Sequence, residues 1–146
     1  MISQTMEYAL RAAVFLAQSP QRAKTTGQIA NATRVPQAYL SKVMQQLAEA
    51  GLVRAQRGIG GGFTLLKRPE DLSLLEVVSA VELLQRMRAC PFGSVPRGAR
   101  LCRLHRRLDE TMAAVEAAFA KTMLSEILDE HADSVPLCSQ LGGAEN

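Results

Sequence analysis

Tryptophan is absent from this chain, and histidine occurs only twice, at His105 and His131. So few imidazoles leave little for histidine-based acid–base chemistry, and His131 falls at the fraying end of an expected helix. No apolar run approaches the roughly 20 residues of a membrane helix. The N-terminus lacks the basic flank, apolar core and cleavage site of a secretory leader, so a cytoplasmic protein without a membrane partner is expected. Cysteine is scarce and odd in number, at Cys90, Cys102 and Cys138. In a reducing compartment these are free, metal-bound or redox-active rather than a disulfide framework.

Acidic residues are nearly missing from the first half. Residues 1–68 hold nine Lys or Arg against only Glu7 and Glu49, a net +7, whereas residues 69–146 carry −4. An N-terminal half so charged suits a polyanion. At 146 residues the chain is long enough to bury a core without metals or disulfides.

The apolar pattern is helical almost throughout. Met6, Leu10, Ala13 and Ala17 recur at helical spacing over 3–18, and Ser19-Pro20 ends that run. Thr25-Thr-Gly-Gln28 is a capping box, opening a short helix with Ile29 and Ala30 inward. Pro36 suits the first turn of a further helix to about Ala50, with Tyr39, Leu40, Val43 and Leu47 as its apolar stripe and Gly51 closing it. Gln37, Ser41, Lys42, Gln45 and Gln46 lie largely off that stripe. Two short strands, 52–57 and 63–67, flank Gly58-Ile-Gly-Gly-Gly62 and read as a hairpin. A second capping box, Ser73-Leu-Leu-Glu76, opens a helix expected to reach about Met87. Pro and Gly make 89–101 a loop. Beyond it Leu104, Leu108, Met112, Val115, Phe119, Met123 and Ile127 predict one helix from about 102 to 130, up to ~40 Å long. A stripe of that length calls for a partner helix from a second subunit.

Two short helices followed by a glycine-tipped hairpin are in winged helix-turn-helix order. The fold class expected is mainly α, with a two-stranded β wing and a long C-terminal dimerisation helix. A helix fits the major groove, where Gln, Ser and Lys hydrogen-bond to base edges or phosphates. A tip without side chains approaches the backbone closely, with Arg57 beside it for a phosphate or the minor groove. A winged helix serving protein contacts is the competing interpretation. Enzyme readings find no support. Gly58-x-Gly60 has Phe63 at the third fingerprint position and sits in a hairpin. Asp109-Glu110 and Asp129-Glu130 are neighbours pointing different ways along a helix.

The segments Met6-Glu-Tyr-Ala-Leu10, Val35-Pro-Gln-Ala-Tyr-Leu40, Leu47-Ala-Glu-Ala-Gly-Leu-Val53, Arg57-Gly-Ile-Gly-Gly-Gly-Phe63 and Leu74-Leu-Glu-Val-Val-Ser-Ala-Val81 resemble the Rrf2 family of bacterial transcription regulators over about 1–130. The resemblance implies a homodimer on a palindromic double-stranded operator. It implies a DNA-binding domain over 1–87, a sensor loop over 88–101, a dimerisation helix over 102–131 and a flexible tail over 132–146. Thr26, Gln37, Ala38, Tyr39, Ser41, Lys42 and Gln45 are its implied DNA-facing residues, with Arg57 and Gly58 at the wing.

Many members of that family hold an iron–sulfur cluster on three cysteines spaced by five residues, some with a histidine three positions later. Cys90, Cys102 and His105 match the outer positions, while Pro96 stands at the centre and cannot ligate. A [2Fe–2S] centre then needs a fourth donor, either Glu7 of the other subunit or Cys138. The segment between Leu83 and Leu108 has seven arginines and no acid, which favours thiolates for ligation and for oxidation alike. A cluster-free thiol switch between Cys90 and Cys102, or a regulator answering a small molecule or partner protein, are the alternatives.

Overall fold

The computed structural model describes residues 2–91, 101–129 and 137. Its elements are α1 (Gln4–Ala17), α2 (Thr26–Thr33), α3 (Gln37–Glu49), β1 (Val53–Gln56), β2 (Gly62–Leu65), a 3-10 turn (Pro69–Asp71), α4 (Leu74–Val81), α5 (Arg103–Lys121) and α6 (Leu124–Asp129). The expected mainly helical fold with a small wing is present. No helix among the described residues is long and apolar enough to cross a membrane.

α1 is the hub. Ser3 caps it by accepting from the Met6 N–H, and its alanines Ala9, Ala12, Ala13 and Ala17 are buried. Side chains this small let α2, α3, α4 and α6 all pack against one helix. Around it Ile29, Leu40, Met44, Leu47, Leu72 and Val77 complete the core.

α2 opens with the anticipated box, Thr25 accepting from Gln28 N–H while the Gln28 amide oxygen accepts from Thr25 N–H. It closes at Arg34, whose left-handed backbone (φ 54°) turns the chain into α3. Pro36 is the N-cap of α3, one residue outside the expected first turn. At its far end Gly51 (φ 74°) lets its own N–H reach Ala48 O and the Leu52 N–H reach Leu47 O. These are the two bonds of a Schellman motif, which satisfies the last carbonyls of the helix. One correction concerns Tyr39. It is 61% exposed and does not share the buried stripe of α3, which is Leu40, Val43, Met44 and Leu47.

β1 and β2 pair antiparallel from Val53↔Leu65 to Gln56↔Gly62. The hairpin is tied to the domain by a bridge between Lys24 and Phe63, with N–H···O distances of 3.0 and 2.7 Å.

Two expectations fail downstream. α4 ends at Val81, not near Met87, and Glu82 is already extended. Leu84 and Met87 keep the helical period, but the segment 82–88 bonds elsewhere. Ser3 Oγ donates to Glu82, and Asp109 of α5 accepts from both Arg86 and the Met87 N–H. Tertiary hydrogen bonds here outweigh a weak local preference. The helix expected from about 102 to 130 is also broken, at Thr122–Met123. The break lets Leu74 N–H bond to Thr122 O and Leu124 N–H to Leu72 O, both at 2.9 Å. α6 then packs against α1 and the 3-10 turn and buries Leu124 completely. α5 therefore spans roughly 28 Å rather than ~40 Å.

α5 is the least covered helix. Leu104 and Leu108 are 61% and 43% exposed, and among its residues only His105 is buried. Leu137 of the tail packs against the core. Pro96, His131 and Cys138, with most of the expected sensor loop, lie outside the described residues.

Candidate functional site

Two regions bring the sequence-predicted residues together. The first is the outer face of α3 with the wing. Gln37, Ala38, Tyr39, Ser41, Lys42 and Gln45 are all exposed on α3, and Arg57 and Gly58 are exposed at the hairpin. Thr26, in the first turn of α2, is half-buried. Ser41 Oγ donates back to Gln37 O at 3.0 Å, and Gln45 Nε2 donates to Glu49 at 3.0 Å. Tyr39 stands edge-on to Tyr8 of α1, ring centroids 6.3 Å apart, which fixes its direction although it is solvent-facing. The wing tip adds a residue that sequence reasoning passed over. Ile59 is fully exposed between two glycines with positive φ, Gly58 and Gly60.

The second region lies where the extended segment after α4 crosses the start of α5. Cys102 is the N-cap of α5, His105 lies in its first turn, and Cys90 comes from the crossing segment. Cys90 Sγ is 4.0 Å from Cys102 Sγ and 3.4 Å from His105 Nδ1, and Cys102 Sγ is 3.0 Å from that same nitrogen. His105 is buried, Cys90 half-buried and Cys102 exposed. The backbone N–H of His105 holds the Cys102 thiol below its usual range, helped by Cys90 and the N–H of Leu104. A cysteine at a helix N-terminus is the expected place for such an effect.

What aims Cys90 is a clamp that the sequence did not announce. Arg86 donates through Nε and Nη2 to the two oxygens of Asp109, each at 2.8 Å, and through Nη1 to Glu116 at 3.2 Å. The Met87 N–H adds a bond of 2.9 Å to Asp109. The Arg86 guanidinium, with that N–H, keeps the Asp109 carboxyl below the usual carboxylate range. Asp109 lies one helical turn beyond His105 and so on the same face of α5. At its other end the crossing segment meets the recognition region, where Gln46 of α3 donates to Val81 O at 3.4 Å.

Within its own chain Glu7, one of the two candidate fourth donors and the one expected from the second subunit, pairs with Arg11 on α1. Among the described residues the group is Cys90, Cys102 and His105 alone. A [2Fe–2S] centre takes four donors, two on each iron. Three donors clustered in one small triangle fit a single ion, and by themselves they do not fit that centre.

Comparison with known proteins places the chain. The regulator NsrR of Geobacillus kaustophilus is 29% identical over 140 residues, covering 94% of this chain and 95% of that protein. The structure of T. potens IscR superposes with a TM-score of 0.72 at 20% identity, covering 88% of this chain and 85% of the other. CymR, described as the global cysteine regulator of B. subtilis, superposes with a TM-score of 0.71 at 22% identity, covering 87% and 95%. Both likenesses establish the winged-helix fold. Residues 2–130 match the family described as "Rrf2: Iron-dependent Transcriptional regulator". The chain belongs to the Rrf2 family, whose members are transcription regulators and not enzymes.

Proposed function

We propose that this protein is a homodimeric, sequence-specific DNA-binding regulator whose DNA affinity is set from Cys90, Cys102 and His105. The observation that carries this reading is the continuity between the two regions. The three donors, the Arg86–Asp109 clamp and the Gln46–Val81 bond form one connected path from the cysteines to α3. α3 enters the major groove with Gln37, Ala38, Tyr39, Ser41, Lys42 and Gln45 toward the DNA, and Thr26 meets a phosphate at the start of α2. Arg57 and Gly58 carry the wing onto the backbone. Two-fold symmetry sets half-sites about one helical turn, ~34 Å, or a multiple apart. The exposed Leu104 and Leu108 on α5 are the surface that a second copy covers.

A change at the cysteines, by oxidation or by gain or loss of a metal, moves the segment 82–90. That alters the spacing of the two recognition helices. An iron–sulfur centre is the second reading, favoured by the family's description as iron-dependent. It needs a fourth donor brought to the three, such as Glu7 from the second subunit.

The DNA half of the reading is tested by salt. Phosphate contacts make log affinity fall linearly with log salt, by about 0.9 per phosphate neutralised. Lys42→Ala and Arg57→Ala should each weaken binding and flatten that slope by about one unit per lost contact. An unchanged affinity and slope in both variants would remove α3 and the wing from the interface.

A further inference from the structure

The geometry points to a mononuclear site: we infer that Cys90, Cys102 and His105 bind one divalent transition-metal ion of the Zn2+/Fe2+ class, with an open fourth position, instead of a [2Fe–2S] centre. This rests on the proposed function only in taking these residues as the signalling end of the molecule.

Three observations carry the inference. The first is size. A tetrahedral ion with M–S of about 2.3 Å and M–N of about 2.05 Å has S···S edges of about 3.8 Å and S···N edges of about 3.6 Å. The corresponding distances here are 4.0 Å for the two sulfurs, and 3.4 and 3.0 Å from them to Nδ1. All three edges come within about 0.6 Å of that tetrahedron. In a [2Fe–2S] centre at least one of three donors must sit on the far iron, further off than any edge of one ion's tetrahedron.

The second is the donor set. Two thiolates and an imidazole suit borderline-soft ions, and three protein ligands with a vacant fourth position is the pattern of zinc sites that exchange a ligand. Proline at position 96 removes the thiolate that a third cysteine would add, and no further Cys, His, Asp or Glu joins the group among the described residues. The third is preorganisation. His105 is buried, and Nδ1 is the atom that faces both sulfurs. Cys102 is fixed as the cap of α5, and the clamp on Asp109 holds the segment carrying Cys90.

Binding forms two M–S bonds and one M–N bond, with the two thiol protons released to solvent and a water in the fourth position. No electron moves in this step. Loss of the ion frees Cys90 and Cys102, and the crossing segment loses one of its attachments to α5.

The full-length protein, purified anaerobically from cells supplied with iron and zinc, is assayed for metals and acid-labile sulfide. It is then stripped and titrated with Co2+. The inference predicts one metal per chain, no stoichiometric sulfide, and one Co2+ per chain. The Co2+ form should show the intense visible bands of tetrahedral cobalt and a thiolate-to-cobalt charge-transfer band. Cys90→Ser and Cys102→Ser should each diminish that band, and His105→Ala should lower Co2+ affinity by at least about tenfold. Circular dichroism confirms that each variant is folded. Two irons and two sulfides per site would overturn the inference, as would absent or octahedral Co2+ binding, or a charge-transfer band that survives loss of both cysteines. DNA affinity measured on the same samples separates the two levels. Retained DNA binding without the cobalt signature defeats only this inference, whereas absent DNA binding defeats the reading beneath it.

Discussion

Replacing Gly62 by alanine should cost about 3–5 kcal/mol, because the new methyl has nowhere to go. A Cβ at this position would lie 2.5 Å from both the carbonyl carbon and oxygen of Lys24, and 2.8 Å from the Thr25 nitrogen. All three are backbone atoms, so no side chain can swing aside. The residue also has φ +137°, a conformation that costs an L side chain roughly 1–3 kcal/mol. Relief requires the wing to part from Lys24, losing the two hydrogen bonds between Lys24 and Phe63 at about 1 kcal/mol each. Gly60→Ala is the control. It has φ +74° but open space around the Cβ, so only the left-handed penalty of about 1–2 kcal/mol applies. Guanidinium denaturation followed by far-UV circular dichroism measures both. Gly62→Ala should also weaken DNA binding, since it detaches the wing. Equal losses in the two variants, or a loss under about 0.5 kcal/mol for Gly62→Ala, would refute the packing argument.

Asp109→Ala removes the acceptor for Arg86 and the Met87 N–H, so it should lower Co2+ affinity while leaving the charge-transfer band recognisable; spectra at saturating cobalt check this. Glu76→Gln should flatten the acid side of the stability profile. Lys67, then the Ser73 cap, hold the Glu76 carboxyl below its ordinary range, so its stabilisation is present above the usual carboxylate pKa and is lost as pH falls through the lowered one. The loss in melting temperature between about pH 5 and about pH 3 should be smaller in the glutamine variant, which keeps the cap without the charge. Leu104→Asp with Leu108→Asp should yield monomers in sedimentation, at unchanged helix content, if α5 forms the dimer contact.

Local chemistry made much of the fold legible. Both capping boxes form as read, because Thr25–Gln28 and Ser73–Glu76 satisfy orphan helix donors within four residues. Gly51 closes α3 for an equally local reason. What escaped was non-local. Leu84 and Met87 keep a helical period that nothing nearby contradicts, and the groups that pull that segment straight are distant in sequence, Ser3 at one end and Asp109 with Glu116 at the other. The break at Thr122 was hidden likewise, since Met123 and Ile127 continue the apolar stripe while the bonds that break the helix come from Leu72 and Leu74. Tyr39 looked buried because it adjoins the stripe, yet it stands on the exposed side against Tyr8. At the site, the spacing of Cys90, Cys102 and His105 was readable, and their convergence on one small triangle was not.

The most direct test of the whole account is the DNA affinity of metal-loaded against metal-stripped protein, for a duplex selected from a random pool, by fluorescence anisotropy at fixed salt. A signal end coupled to α3 predicts a difference within the usual allosteric range of roughly 5–150-fold, abolished by Cys90→Ala with Cys102→Ala. Equal affinities in both states, or a difference that persists without the two cysteines, would contradict control of DNA binding from Cys90, Cys102 and His105.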